Sequence, residues 1–384
     1  MNMDISEPGP LVRQVSGMDA DRNWLLAVLV KRTYLLEDTG RCVPHPEQIP
    51  LMDDAEESDD GTLVADTDLI PFKPLTDVVI RGTARSVSSA GPFHAEVHVE
   101  QWQKSVLVIG DRQCSVSSGG TLSFSPPQPV TEVPLRYEFA YGGGDPVAER
   151  DIEHPLANDP ALLPEGLTLE DLNVCVYPRN PVGVGYLVKP IPEAVDGLRL
   201  PNLEDPYDRL TPERLALGSH ENWLAYPMSQ AMDWMHYGWF PRCAYLGVLP
   251  PFDPEGGTAP EVARGLAPDD LAETRSPLEK FSLRSANGAS TGLQFPHLRG
   301  DEEVRLVNIH PTRSHFSFRL PGERPEIWTD GRDGTYNATH PVLQTVLLEP
   351  DEHRVSVVWR GAAPARRPYR PEELSEMPLH VRWP

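Results

Sequence analysis

Two glycine-rich stretches are the first candidates for chemistry. "YEFAYGGGDP", residues 137–146, places Gly142, Gly143, Gly144 and Asp145 directly behind a run that reads as a strand. "YPRNPVGVGY", residues 177–186, carries Arg179, Asn180 and Pro181 ahead of Gly183 and Gly185. Glycines at a strand end can cradle a phosphate when a helix N-terminus follows, because backbone amides and the helix dipole together stabilise the anion. That frame is missing here. Pro146 and the acidic, broken "VAERDIEHP" follow the first stretch, and no Lys-Ser or Lys-Thr pair appears. The second lacks the third glycine of a dinucleotide fingerprint. Both stretches read instead as backbone geometry: glycines allow positive φ or close approach of another backbone.

The other reactive residue types show no spacing that closes a site. "HENW" at 220 lacks the second histidine of a zincin helix. Asp233 and His236 in "DWMHYGW" could share a helix face, and two groups do not complete a metal shell. His310 and His315 in "NIHPTRSHF" flank a turn. Cys42, Cys114, Cys175 and Cys243 are too scattered for a zinc or redox motif and read as free, mostly buried thiols. The serines of "SVSSAG" and "SVSSGG" lack the strand-to-helix turn of a nucleophile elbow. Carboxylates are abundant enough that a glycosidase pair, near in space only, is a possible arrangement without positive support. The residues thus suggest no catalytic group, no metal and no cofactor.

The elements that must position these residues are short. Forty-two prolines and 29 glycines interrupt helices and central strands alike. In "HAEVHVEQW", Ala95, Val97 and Val99 fall on one face and His94, Glu96, His98 and Glu100 on the other, as a half-buried strand requires. "WLLAVLVKRTYLL", "TDVVIRGTA" and "KSVLVIG" complete an N-terminal sheet, and "EVRLVNIH", "HFSFRL", "QTVLLEP" and "HRVSVVWRG" suggest a C-terminal antiparallel meander. The expected fold is mainly β, with antiparallel sheets in a sandwich or barrel-like arrangement, long proline-rich loops and a few short helices. The organisation reads as a tail (1–20), a β region (21–145), an irregular, partly helical region (146–280), a second β region (281–364) and a tail (365–384). The two β regions could also interleave as one domain.

One helix is predicted, with Met228, Met232, Met235 and Trp239 at helical spacing after Pro227. It overlaps "MDWMHYGWFPR", residues 232–242, whose Trp234, Met235, Trp239 and Phe240 either pack in the core, the preferred reading, or face a partner. "DDAEESDD", Asp53 to Asp60, reads as an exposed, mobile acidic loop. With 34 basic against 57 acidic side chains, the net charge of -23 disfavours nucleic acid and anionic lipid as partners. No segment reads as a signal peptide or a membrane span, so no membrane insertion is expected and the chain is placed in the cytoplasm.

Taken in order, "DLIPFKPLTDVVIRGTA", "KSVLVIGDR", "PLRYEFAYGGGDP", "RNPVGVGY", "LRGDEEVRLVNIHP", "FSFRLPG" and "VSVVWRG" resemble the type VI secretion accessory family built on the domain of unknown function DUF2169. The resemblance runs from about residue 24 to about residue 362. It implies a non-enzymatic adaptor or chaperone that helps load a secreted effector protein onto a spike protein of VgrG or PAAR type. It supplies no catalytic residues. Its recurrent positions, Gly110, Asp111, Arg112, Tyr137, Gly142, Gly143, Arg179, Asn180, Pro181, Gly183 and Gly185, read as turn and packing positions. Where many members carry an aromatic shortly after Gly-Asp-Arg, this chain has Gln113 and Cys114. Two other classes remain: a carbohydrate-binding β module, which would usually be exported, and a hydrolase with dispersed carboxylates.

Overall fold

A computed structural model describes residues 9–86, 91–151, 175–188, 190–217, 225–246, 282–330 and 335–384. Among these residues the protein is mainly β, with several antiparallel sheets, few short helices and no closed barrel. The largest sheet runs in the order Leu11–Met18, Trp24–Leu36, Arg354–Pro364, Val342–Glu349, Thr76–Ile80, Gln294–Phe295, with Cys42–Pro44 also paired to Trp24–Leu36. Its neighbours are antiparallel except Val342–Glu349 with Thr76–Ile80, which is parallel. A five-stranded sheet follows the order Leu203–Glu204, Trp102–Val108, Phe93–Val99, Glu303–Val307, His315–Arg319.

Both sheets mix strands from the two ends of the chain. The expected C-terminal meander therefore does not form: its two hairpins separate, one into each sheet. The pairing that wins is non-local, because each hairpin has an apolar face that only an N-terminal strand can cover. Thus Leu306 lies opposite Val97, and Val30 opposite Trp359.

Burial follows the sequence pattern. Trp24–Leu36 has ten consecutive buried residues, Leu25 to Tyr34, as its nearly continuous apolar run demands of a central strand covered on both faces. Phe93–Val99 alternates, burying Ala95, Val97 and Val99. One core cluster joins the two sheets; a second, rich in tyrosine, gathers Tyr141, Tyr177, Tyr186 and Tyr226 with Leu187, Leu200 and Phe240. The short α-helices Pro146–Asp151, Pro192–Val195, Pro212–Leu215 and Pro371–Glu376 each open on a proline, whose fixed φ suits the first helical position. Among the described residues no helix is long and apolar enough to cross a membrane.

Two local expectations need correction. The segment from Met228 to Phe240 is not helical. Its amides are taken by distant carbonyls, Met232 N–H by Leu135, Met235 N–H by Gly288 and Phe240 N–H by Pro178, so the strip docks as extended and turning chain. The acidic Asp53–Asp60 stretch is largely exposed, yet Glu56–Glu57 pairs with Leu63–Ala65 as a small hairpin.

Candidate functional site

The two glycine-rich stretches meet. Tyr141–Gly142 pairs in parallel with Val184–Gly185, and Gly144 bridges to Val176. Gly142, Gly143 and Gly185 all have positive φ, at 155°, 89° and 96°. A Cβ on Gly142 would stand 2.1 Å from the carbonyl oxygen of Asn180, and one on Gly143 2.3 Å from that of Gly183. Gly183 is equally confined, 2.6 Å from the Ala140 oxygen. Gly144 differs, because its Cβ would meet Val176 at an ordinary 3.5 Å.

Asn180 fastens this junction. Wholly buried, it donates from Nδ2 to the carbonyls of Tyr137 and Tyr141 at 2.8 and 3.1 Å. Arg179 donates to the Tyr177 hydroxyl at 2.9 Å. Tyr141, Tyr177, Tyr186 and Tyr226 pack ring to ring with centroids 5.0–6.3 Å apart. Burial raises the Tyr141 and Tyr177 hydroxyls above the ordinary phenol range and pushes Tyr226 up to about 12. They remain protonated packing groups.

Contrary to the sequence expectation, a helix does follow the glycines, at Pro146–Asp151. Its leading amides are already taken: Asp145 Oδ1 accepts from Val147 N–H and Ala148 N–H at 3.1 and 2.9 Å. Oδ2 accepts from Val188 N–H at 3.0 Å, and Asp145 is buried. An internal carboxylate therefore occupies the position a phosphate would need.

Gly110, Asp111 and Arg112 build a second joint. A Cβ on Gly110 would collide with the Gln128 carbonyl. Asp111 accepts from Asn202 Nδ2 at 3.0 Å. Buried Arg112 pairs with buried Glu204 at 2.5 Å and donates to the Pro201 carbonyl at 2.7 Å; Arg209 also pairs with Glu204, at 3.0 Å.

The aromatic strip lies across this framework. Trp234, Met235, Trp239 and Phe240 are all buried, Trp239 standing edge-on to Tyr137 at 5.2 Å. Their apolar area belongs to the core, which is the preferred of the two sequence readings. Asp233 and His236 do not share a face. Asp233 is 3.8 Å from Arg81, whereas His236 pairs with Glu57 at 3.1 Å. Tyr237 donates to the same carboxylate at 2.5 Å and so ties the acidic hairpin to the strip.

Beneath Trp234 lies a buried polar network that sequence reasoning missed. Asp77 accepts from Lys73 Nζ at 2.7 Å, from Asn287 Nδ2 at 3.0 Å and from the amides of Gly288 and Ala289. Lys73 is also 5.5 Å from the Trp234 ring. Lys104 donates to Ser290 Oγ at 2.6 Å and to the Thr291 carbonyl at 2.7 Å. Burial lowers its ammonium to about 7 against an opposing effect of Asp205. Charged residues inside the apolar "TDVVIRG" and "KSVLVIG" were the available signal, since a buried charge needs a partner elsewhere. The Lys104–Ser290 contact is a packed structural bond, with the serine hydroxyl donating onward to the Ala231 carbonyl at 2.7 Å. Cys114, Cys175 and Cys243 are buried and Cys42 is half-buried; burial pushes the Cys42 and Cys243 thiols up to about 12.

No curated protein and no solved structure matches the chain. A family model does match, over residues 21–360, and its description is an uncharacterized protein conserved in bacteria. Because that span covers nearly the whole chain, including both glycine stretches, the five-stranded sheet and the largest sheet apart from Leu11–Met18 and the last residues of Arg354–Pro364, the protein belongs to the DUF2169 family.

Proposed function

We propose that this protein is a non-enzymatic adaptor or chaperone that binds a secreted effector of a bacterial type VI system and assists its loading onto a VgrG- or PAAR-type spike protein. The reading starts from the motif resemblance. The observation that carries it is the fate of the motif residues: Gly142, Gly143, Asp145, Asn180, Gly183 and Gly185 are spent on one tightly packed backbone junction. Such a junction holds a shape and leaves the outer surface for recognition. A shallow groove along the outer strand of the five-stranded sheet, lined by Gly40, Cys42, Glu303, Phe318 and Leu320, is one surface where an extended partner segment could lie. The charge of -23 would steer a basic segment of the partner inward.

The test is co-expression with the products of the neighbouring genes, affinity capture and size-exclusion chromatography. A stable complex with a toxin or spike protein is the expected result, with association that slows as salt rises from low to high. Failure to capture either from a folded, monomeric chain overturns the reading.

A further inference from the structure

Three turns, remote in sequence, meet at one place. The turn at Glu37–Arg41 carries Asp38, the turn between Glu303–Val307 and His315–Arg319 carries His310, and the turn between Val342–Glu349 and Arg354–Pro364 carries His353. One ligand atom from each lies within 4.8 Å of the other two. His310 Nε2 is 3.9 Å from Asp38 Oδ1, and the two imidazoles stand 5.9 Å apart at 78°.

The backbone around them is tightly determined. His353 has a left-handed φ of 50°, uncommon for a residue with a side chain, and is held by Leu36 N–H donating to its carbonyl at 2.7 Å. Arg313 donates to the Asp38 carbonyl at 2.8 Å. His310 is 2% exposed, with its ring against Phe316 at 4.3 Å. One imidazole is thus fixed inside, one sits on a constrained turn, and an exposed carboxylate closes the open side.

We propose that Asp38, His310 and His353 form a divalent transition-metal site that ties the three turns together and keeps an outward coordination position. Two imidazoles and a carboxylate suit zinc, cobalt or nickel better than calcium or magnesium, which prefer oxygen ligands alone. Tetrahedral zinc with bonds of about 2.1 Å wants ligand atoms roughly 3.4 Å apart. The 3.9 Å between Asp38 Oδ1 and His310 Nε2 closes to that through a small movement of the exposed Asp38 side chain, and His353, whose ligand atom lies within 4.8 Å of both, closes the third side by turning about its own side-chain bonds. With Nε2 on the metal, Nδ1 of His310 carries the proton, and the Thr312 hydroxyl, 3.5 Å away, is its acceptor. The Thr312 amide, now donating to Nδ1 at 3.3 Å, yields to that bond.

The test uses the full chain, stripped with chelator and titrated with cobalt(II), then zinc. The expected result is one equivalent of cobalt with weak visible bands and no thiolate charge-transfer band, displaced by zinc, which also raises the melting temperature. His353→Asn keeps a residue type that tolerates the left-handed conformation, and Asp38→Asn lies on the surface, so both variants are expected to fold as the metal-free wild type does. Each should lose at least roughly tenfold in affinity and lose the zinc-dependent shift. Absence of stoichiometric binding, a thiolate band marking a cysteine site, or unchanged binding in both variants overturns the proposal.

Discussion

At the scale of single residues, buried polar groups decide what substitutions do. Asp233 is nearly enclosed and faces Arg81, Arg136 and Glu138; burial is the main cause raising its carboxyl from 3.8 to about 6, and Arg81 and the Trp234 amide pull the other way. Its folded pKa lies above its unfolded one, so its contribution to stability is full below about pH 4 and is lost as pH rises through about 6. Asp233→Asn removes that ionisation while its amide oxygen can still accept from Trp234 N–H. Urea unfolding should therefore find the variant more stable than wild type at pH 7.5 by about 2 to 3 kcal/mol, and should show no such gain at pH 4. A variant no more stable than wild type at pH 7.5 would mean that Arg81 compensates the buried charge fully.

At the scale of elements, periodicity was legible where one face meets solvent and misleading where tertiary hydrogen bonds replace local ones. The alternation in Phe93–Val99 translated directly into Ala95, Val97 and Val99 inside. Met228, Met232, Met235 and Trp239 also recur regularly, yet their segment has no helical ladder, because Leu135, Gly288 and Pro178 supply the carbonyls its amides need. Apolar spacing reports burial more reliably than it reports the hydrogen-bond pattern. That burial has a consequence for Trp234, which packs in the main core and over Lys73. Trp234→Ala should destabilise by about 3 to 5 kcal/mol in thermal or denaturant unfolding. Full stability together with lost partner capture would instead make the ring a recognition element.

At the scale of the whole molecule, mixed-in strands from both chain ends lay beyond what local pattern can express. Val30 and Trp359, or Val97 and Leu306, become partners only through loops of great length, and no residue type announces such a pairing. The buried pair Arg112–Glu204 belongs to the same class: each charge was visible in the sequence, its partner was not. The glycines were legible as backbone devices, but not the fact that the two stretches serve one another. That junction is the centre of the account, since it makes the family's recurrent residues a scaffold. The measurement that addresses it most directly is the melting temperature of Gly143→Ala beside Gly144→Ala. Gly143 combines a left-handed backbone with a carbonyl 2.3 Å from any Cβ, whereas Gly144 has ordinary space. A loss of roughly 2 kcal/mol or more is expected for Gly143→Ala and a change within about 1 kcal/mol for Gly144→Ala. A Gly143→Ala protein as stable as wild type would contradict it.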